Sequence, residues 1–297
     1  MNGSPDILCI GSVLWDVIGR TDRSMRHGND VPGLITRIPG GVALNIAMTL
    51  KRFDLTPALL SVVGTDPAGD ELVAACDGME LVTDHLLRDA RLPTDTYVAI
   101  EDHAGLVAAM CDAYSLEAAG DRILAPLFDG RLGSNAAPYP GAIALDGNLT
   151  EVLLADIAQH PAFAAADLRV APASPGKATR LIPLLGHPGV TLYVNREEAG
   201  LITGDVFDDA AHAAEALVAK GAARALVTDG AGIAAFADKR GAITARPPAV
   251  RQSRVTGAGD TFMAAHIAAD LSGAAVQDAL TRALAAAARY VSGEDAN

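Results

Sequence analysis

The chain is poor in cysteine, with only three cysteines among its 297 residues. Cys9, Cys76 and Cys111 lie far apart and lack the close spacing that is typical of cysteine metal ligands. The cysteine pattern therefore gives no sign of a metal site. We interpret the three residues as small apolar side chains of a protein in a reducing compartment.

Positive charge is also scarce, because 23 Lys and Arg residues stand against 36 Asp and Glu residues, for a formal net charge of -13. This balance argues against general affinity for nucleic acid or an anionic membrane, while a nucleoside or another small ligand stays compatible with it. No apolar run is long enough to span a bilayer, and the N-terminus lacks a basic stretch followed by an apolar one. We expect a cytoplasmic protein with neither a nucleic-acid nor a membrane partner.

Short apolar runs alternate with helical patterns over most of the chain, half of which is apolar. Ile7–Ile10 and Ala58–Val63 are predicted strands, and a helix is predicted from Pro175. From residue 142 the strand-like runs alternate with helical patterns until the run at residues 225–228, which is followed by two further β-like pieces. This repeated alternation predicts a mostly parallel sheet covered on both faces. We expect a single α/β domain over residues 1–297.

Two segments, at about residues 12–39 and 94–114, do not follow this alternation. Within the second, Thr96–Ile100 and Leu106–Met110 flank a short turn and predict a hairpin. We expect the two segments to form a small antiparallel sheet, a lid over one end of the main sheet. Edge strands of such a sheet are liable to pair with a second copy, so a homodimer through the lid is expected.

The most informative segment is RVTGAGDTF, residues 254–262, where two glycines and a carboxylate precede an alanine-rich helix. Gly257 and Gly259 allow a tight turn, and the first N–H groups of the helix form an anion site with the helix dipole. Asp260 beside that site is suited to remove a proton from an attacking hydroxyl. This combination indicates phosphoryl transfer to an alcohol. The alternatives are an Asp that merely complements the dipole, or a dinucleotide-binding fingerprint with Phe262 in place of its third glycine.

A second glycine-rich segment, PGGVALNIA at residues 39–47, also opens a helix. Gly41 lies in the turn, and Asn45 lies one helical turn further, where its amide can donate and accept hydrogen bonds to sugar hydroxyls. Asp16 follows the first strand and could bind two hydroxyls. Each of these residues could instead be an ordinary polar residue of a turn or a helix.

Two further motifs follow predicted strands, where ligands bind in open α/β sheets. Asn195 and Glu198 lie one helical turn apart and could hold water molecules around Mg²⁺; they could equally form a charged first helical turn. Thr228, Gly230 and Gly232 allow close approach of a phosphate, or could form only a hairpin turn.

Taken in order, these motifs resemble the ribokinase family of carbohydrate kinases, also called the PfkB family. The two signature regions are Gly40–Asn45, with residues 63–70 downstream, and Thr256–Asp260. The other two motifs lie in the expected places between them. The resemblance covers essentially the whole chain and implies a three-layer α/β/α domain, a small β-sheet lid over the sugar, and ATP-dependent phosphorylation of a sugar hydroxyl.

The resemblance also implies roles for individual residues. Asp260 would be the base, and the amides around Gly257, Ala258 and Gly259 would form the anion hole. Three further sets of residues would hold the ligands: Asp16, Gly41 and Asn45 on the sugar, Thr228, Gly230, Gly232 and Asn195 on ATP, and Glu198 on Mg²⁺ through water.

One position departs from the family pattern. Many members have an Asp shortly before the GAGD segment that helps to hold a monovalent cation, and this chain has Arg254 there. Because a guanidinium cannot bind a cation, potassium activation is in doubt. Our hypothesis is that the charge of Arg254 takes the place of the ion.

Secondary features resemble the pseudouridine kinase branch of the family. They are LDGNL at residues 145–149, PASPGK at residues 172–177, and the lid segment at residues 97–105 that leads to Asp112. The branch commonly has an Asp where this chain has Ala171. We expect pseudouridine as the acceptor, phosphorylated on its C5′ hydroxyl. The alternatives are a general sugar kinase, another nucleoside kinase and a catalytically inactive sugar or nucleotide sensor.

Overall fold

The computed structural model of the protein describes residues 4–251 and 256–294. In that part of the chain the strands are β1 Ile7–Ile10, β2 Leu14–Arg20, β3 Leu34–Gly40, β4 Pro57–Leu60, β5 Val62–Gly64, β6 Leu87–Asp89, β7 Thr96–Asp102, β8 Gly105–Asp112, β9 Ala142–Asp146, β10 Asp167–Ala171, β11 Val190–Asn195, β12 Arg224–Thr228, β13 Ala234–Asp238 and β14 Gly241–Ala245. The α-helices there are α1 Val42–Lys51, α2 Pro67–Gly78, α3 Tyr114–Ala119, α4 Glu151–Gln159, α5 Arg196–Thr203, α6 Ala210–Ala219, α7 Ala258–Leu271 and α8 Val276–Ser292.

The central sheet has the strand order β14-β13-β12-β11-β10-β9-β1-β4. Its pairings are parallel from β4 to β12, and β13 and β14 are added antiparallel at one edge. A parallel sheet needs crossover connections, which the helices between successive strands provide. The expected mostly parallel sheet is confirmed.

The two faces of this sheet bury different side chains, as the alternation along β1 illustrates. Leu8 and Ile10 pack in a core cluster with α4, α5 and α6, while Ile7 and Cys9 pack in a second cluster with α1, α7 and α8. Successive side chains of a strand point to opposite faces, so a strand that is buried on both sides, such as β1, is predominantly apolar. The three-layer α/β/α arrangement follows.

A separate four-stranded sheet, which we call the lid sheet, has the order β3-β2-β7-β8. The hairpin predicted between residues 96 and 110 is present as the antiparallel pair β7–β8. The pair β2–β7 is parallel, so the lid sheet is mixed and not purely antiparallel as expected. The two strands begin side by side, because the Trp15 N–H donates to the Asp95 carbonyl oxygen just before β7, and they then run in the same direction.

Two local expectations were wrong. The predicted strand at residues 58–63 divides at Ser61, because β4 stays in the central sheet while β5 pairs with β6. The predicted helix from Pro175 is a 3₁₀ helix, Pro175–Leu184, with Pro183 inside it. Proline has no N–H to donate and disfavours a regular α-helix.

None of the helices within residues 4–251 and 256–294 has both the length and the hydropathy that a bilayer-spanning segment needs.

Candidate active site

The predicted site residues converge on one edge of the central sheet. Asp146, Asn195 and Thr228 are the last residues of the parallel strands β9, β11 and β12, so all three lie at the carboxyl edge. Ligands of open α/β sheets bind at this edge. The N-termini of α1 and α7 meet there as well, because Asn45 of α1 contacts Asp260 of α7.

The turn before α7 has the geometry of an anion site. Gly257 is the N-cap residue with a φ of 88°, and no side chain of the described residues caps the helix. A Cβ at Gly257 would lie 2.5 Å from the Tyr290 hydroxyl oxygen, whereas a Cβ at Gly259 would meet no atom within 4 Å. The backbone of Ala258 and Gly259 therefore borders open space, where the first N–H groups of a helix attract negative charge.

Asp260 lies one residue further, in the first turn of α7. Its carboxylate accepts a hydrogen bond from the Asn45 side-chain amide at 2.9 Å. Burial raises the pKa of Asp260 to about 7, the negative charges of Asp146, Asp16 and Glu198 add to the rise, and the Asn45 hydrogen bond opposes it. A carboxylate with a pKa near neutrality is suited to proton abstraction, because it combines ionisation with useful basicity.

The predicted acceptor-binding residues surround the N-terminus of α1. Asp16, on β2 of the lid sheet, lies against Gly40, where any side chain would collide with its carboxylate. Burial raises the pKa of Asp16 to about 6. Gly41 has a φ of 96°, and a Cβ there would come 2.5 Å from the Ser12 carbonyl oxygen. Glycine at 40 and 41 thus permits the approach of α1 to both Asp16 and β1.

Asn195 and Glu198 are paired with each other in a capping box at the start of α5. The Asn195 side chain accepts from the Glu198 N–H, and the Glu198 carboxylate accepts from the Asn195 N–H, each at 2.8 Å. Burial raises the pKa of Glu198 to about 7, and the Glu197 charge adds to the rise while the hydrogen bond from Asn195 lowers it. The two residues therefore form the first helical turn that was the alternative to a Mg²⁺ site. The Glu198 carboxylate is in addition buried.

Thr228 and Gly230 line a cleft of about 800 Å³ together with Asn195. Gly232 is not among its lining residues, and it lies in the turn that follows, where its N–H donates to the Asp229 carbonyl. Arg196 also lines this cleft and is held by an ion pair of 3.0 Å to Asp229. The cleft is large enough for a nucleotide and lies at the carboxyl ends of β11 and β12.

The expected Mg²⁺ would find no complete set of side-chain ligands here. Within residues 4–251 and 256–294, no group of three or more His, Cys, Asp or Glu side chains could hold a metal. Mg²⁺ usually keeps several of its waters and is bound through one or two carboxylates together with phosphate oxygens. Glu198, whose charge acts on Asp260, fits a contact to the hydrated ion.

Several residues of this region were not assigned to the site from the sequence. Arg196 of the cleft and Lys177, which donates to the Asn148 side chain at 2.5 Å, are examples. Both residues lie in segments that follow a predicted strand. That position was the one feature of the sequence that could have indicated their place in the site. Arg254, the position of the expected departure in cation binding, lies outside the described residues.

Comparison with known proteins identifies the family of the chain. The pfkB family carbohydrate kinase profile matches residues 4–297. A pseudouridine kinase of Escherichia coli strain K12 is 32% identical over 99 residues, and this alignment spans 33% of the present chain and 32% of that kinase.

Solved structures resemble the protein over nearly its full length. A carbohydrate kinase from Agrobacterium tumefaciens has a TM-score of 0.79 at 25% identity, covering 97% of this chain and 93% of its own. An Arabidopsis thaliana ribokinase complexed with ribose and ATP has a TM-score of 0.79 at 21% identity, with the same two coverages. The ribokinase-like fold is confirmed. Because the family profile spans the described chain from its first residue to its last, the protein belongs to the PfkB family of carbohydrate kinases, which are phosphotransferases with an alcohol acceptor.

Proposed function

We propose that the protein is an ATP-dependent kinase that phosphorylates the primary hydroxyl of a ribosyl compound, with pseudouridine as the preferred acceptor. One observation carries the proposal. The hydrogen bond between Asn45 and Asp260 joins two motifs that lie 215 residues apart in the chain. It places a base with a pKa near 7 next to an amide suited to a sugar hydroxyl, beside an open helix N-terminus.

In the proposed reaction each part of the site has one task. Asp260 takes the proton from the acceptor hydroxyl as that oxygen attacks the γ-phosphorus of ATP, and the bond to the β-phosphate oxygen breaks. The N–H groups of Ala258 and Gly259 face the charge that grows on the transferred group. Mg²⁺, when bound, would neutralise phosphate charge. Most of the rate gain would come from alignment and charge stabilisation.

Support for a nucleoside acceptor comes from the inner face of the lid sheet. Cross-strand pairing sets Asp16, Tyr97 and Cys111 side by side on this face. The charges of Lys177 and Asp146 act on Cys111, so the row faces the carboxyl edge of the central sheet. The Tyr97 ring and the Lys177 ammonium group, which donates one of its three N–H groups to the Asn148 side chain and has two left, suit a nucleobase that bears carbonyl oxygens. The name of the Escherichia coli relative points the same way.

A general sugar kinase is the second candidate, favoured by the fact that Asp16 and Asn45 alone would suffice to hold ribose hydroxyls. The third is a sensor without turnover, which the presence of both Asp260 and Glu198 disfavours.

Turnover of ATP against pseudouridine, uridine, ribose and fructose separates these functions. Uridine is the matched control, because it is an isomer that differs only in how the base is attached to the ribose. We expect turnover of pseudouridine well above that of uridine. Equal turnover of ribose or fructose would establish the sugar kinase instead, and ligand binding without any turnover would establish the sensor.

We further propose that two copies associate through the lid sheet. Ile35, Val98, Ile100 and Met110 share one face of that sheet and are exposed, with Met110 74% exposed. β3 and β8 are edge strands with free backbone groups. A molar mass near twice 30.4 kDa in solution is expected, and Met110→Glu together with Val98→Lys should give the single-chain mass. A monomeric wild-type protein would contradict this proposal.

A further inference from the structure

A buried polar cluster lies directly beneath the turn that begins α1. Asp146, at the end of β9, has no exposed surface. Its carboxylate accepts hydrogen bonds from the Ser12 N–H and hydroxyl, both at 2.8 Å, from the Ala43 N–H at 3.1 Å and from the Asn148 N–H at 2.7 Å. All four partners are donors, which matches the acceptor capacity of an ionised carboxylate.

Ser12 completes this cluster from the short link between β1 and β2. Its hydroxyl oxygen accepts from the Val42 N–H at 2.8 Å and from the Asn148 side-chain amide at 2.9 Å, and its carbonyl oxygen accepts from the Leu44 N–H at 3.3 Å. Together with Asp146, Ser12 therefore satisfies the first three N–H groups of α1. The N-cap residue, Gly41, provides no side-chain cap of its own. Two residues from other elements thus replace the local cap.

Close backbone approach makes this arrangement rigid. Gly11 has a φ of 151°, and a Cβ there would collide with the Asp146 carboxylate. Gly41 is equally confined by the Ser12 carbonyl. Any side chain at either glycine would push β1 or α1 away from the cluster. The hydrogen bonds of the Asp146 carboxylate therefore require glycine at both positions.

The cluster acts on the site through α1. Asn45 lies at the end of the first turn of that helix, so the position and rotation of the helix N-terminus determine where its amide points. That amide donates to Asp260 at 2.9 Å. Because Asp146 is fully enclosed, it reaches neither the acceptor nor ATP itself. Its charge nevertheless acts on Asp260.

We propose that Asp146 and Ser12 are positioning residues for phosphoryl transfer: they hold the N-terminus of α1 so that Asn45 aligns both Asp260 and the acceptor hydroxyl, without touching either substrate. The inference rests on the proposed kinase function. Misplacement of reacting groups by about 1 Å can cost about 10²-fold in rate, so a residue that is remote from the ligands can matter as much as one that binds them.

The test compares Asp146→Asn and Ser12→Ala with the control Asp66→Asn. Asp66 has a similar set of donors, the Gly69 N–H at 2.8 Å and the Thr94 N–H and hydroxyl at 2.9 and 2.6 Å, but it caps α2 away from Asp260. We expect Asp146→Asn to lower kcat/KM for the acceptor about 10²-fold, with a raised acceptor KM and an unchanged KM for ATP. Ser12→Ala should lower kcat/KM about 10-fold, and the control should leave the acceptor KM as it is.

The pH profile adds a measurement that a purely structural role would not move. The charged groups that act on Asp260 are Asp146 from the central sheet, Asp16 from the lid sheet and Glu198 from α5. Loss of one negative neighbour lowers the pKa of Asp260, so the acid limb of kcat/KM should move to lower pH in Asp146→Asn. In Ser12→Ala, which keeps the charge, and in Asp66→Asn the limb should stay in place.

A measurement without substrate separates this inference from the proposed function. The Asn45 side-chain amide gives an NMR signal that Asn45→Ala identifies by its loss. We expect this signal to shift in Asp146→Asn and in Ser12→Ala, but not in Asp66→Asn. A shifted signal without turnover of any acceptor would end the kinase proposal and leave the positioning role standing. The positioning role would be overturned if Asp146→Asn and Ser12→Ala both turn over the acceptor with the wild-type NMR signal of Asn45, the wild-type acceptor KM and the wild-type acid limb. Ser12→Ala keeps the test decisive if Asp146→Asn does not fold.

Discussion

Asp260→Asn is expected to lower kcat by more than about 10⁴-fold while ATP binding is retained. General base catalysis alone contributes about 10²–10⁴-fold. The larger loss is expected because the amide cannot take a proton and has only one oxygen, which the Asn45 amide, now donating to the Asp260 carboxylate at 2.9 Å, would occupy. The N–H₂ group would then face the acceptor hydroxyl, which would lose both its base and its alignment.

Steady-state kinetics and ATP titration measure the two halves of this prediction. Asp278→Asn, an exposed residue in the first turn of α8, is a matched control that should retain the wild-type rate. In the wild-type enzyme kcat/KM should fall tenfold per pH unit below about pH 7, because protonation of Asp260, whose pKa is about 7, removes the base. A near wild-type rate in Asp260→Asn would remove this residue from its role.

Gly257→Ala is expected to lower kcat by about 10²–10³-fold, the cost of losing an oxyanion donor. Gly257 has a φ of 88°, which disfavours any residue with a Cβ, and the added carbon would lie 2.5 Å from the Tyr290 hydroxyl oxygen. Relief of that contact must move the start of α7. The N–H groups of Ala258 and Gly259 would then no longer face the transferred phosphoryl group.

Two variants separate the steric effect from the backbone effect. Gly273→Ala has a similar φ of 80° but meets no atom within 4 Å, so it should cost about 1–2 kcal/mol of stability and leave kcat unchanged. Adding Tyr290→Phe to Gly257→Ala removes the nearest colliding atom and should restore part of the rate. Equal kcat values for Gly257→Ala and Gly273→Ala would show that the turn before α7 does not stabilise the transferred group.

The central sheet was predictable because its strands are apolar on both faces. Ile7–Ile10 is such a strand, and its residues divide between the two core clusters. The division of the predicted strand at residues 58–63 was not predictable, because a single serine, Ser61, inside an apolar run is a weak turn signal. The partner of β5, the strand β6, lies more than 20 residues further along the chain. Periodicity reports burial but not which strand is the neighbour.

The site was predictable to the extent that glycines and polar residues follow strands. The contact of Asn45 with Asp260 brings together the two glycine-rich segments, each of which the sequence singled out separately. The ion pair of Arg196 with Asp229, which lies in the cleft, had no local signal. Nor did the order of the lid strands, in which β2 runs parallel to β7, follow from the hairpin pattern alone.

The amino-acid sequence by itself determined the layered α/β architecture, the two glycine turns and the residues that those turns expose, because these depend on local periodicity and on backbone conformations that only glycine adopts readily. Only the tertiary structure decided that Asp146, the aspartate of the LDGNL segment, would be enclosed by Ser12, the Asn148 N–H and the Ala43 N–H of α1. A buried carboxylate is tolerated only where several donors converge on it, and donors from three separate elements converge only once the chain is folded.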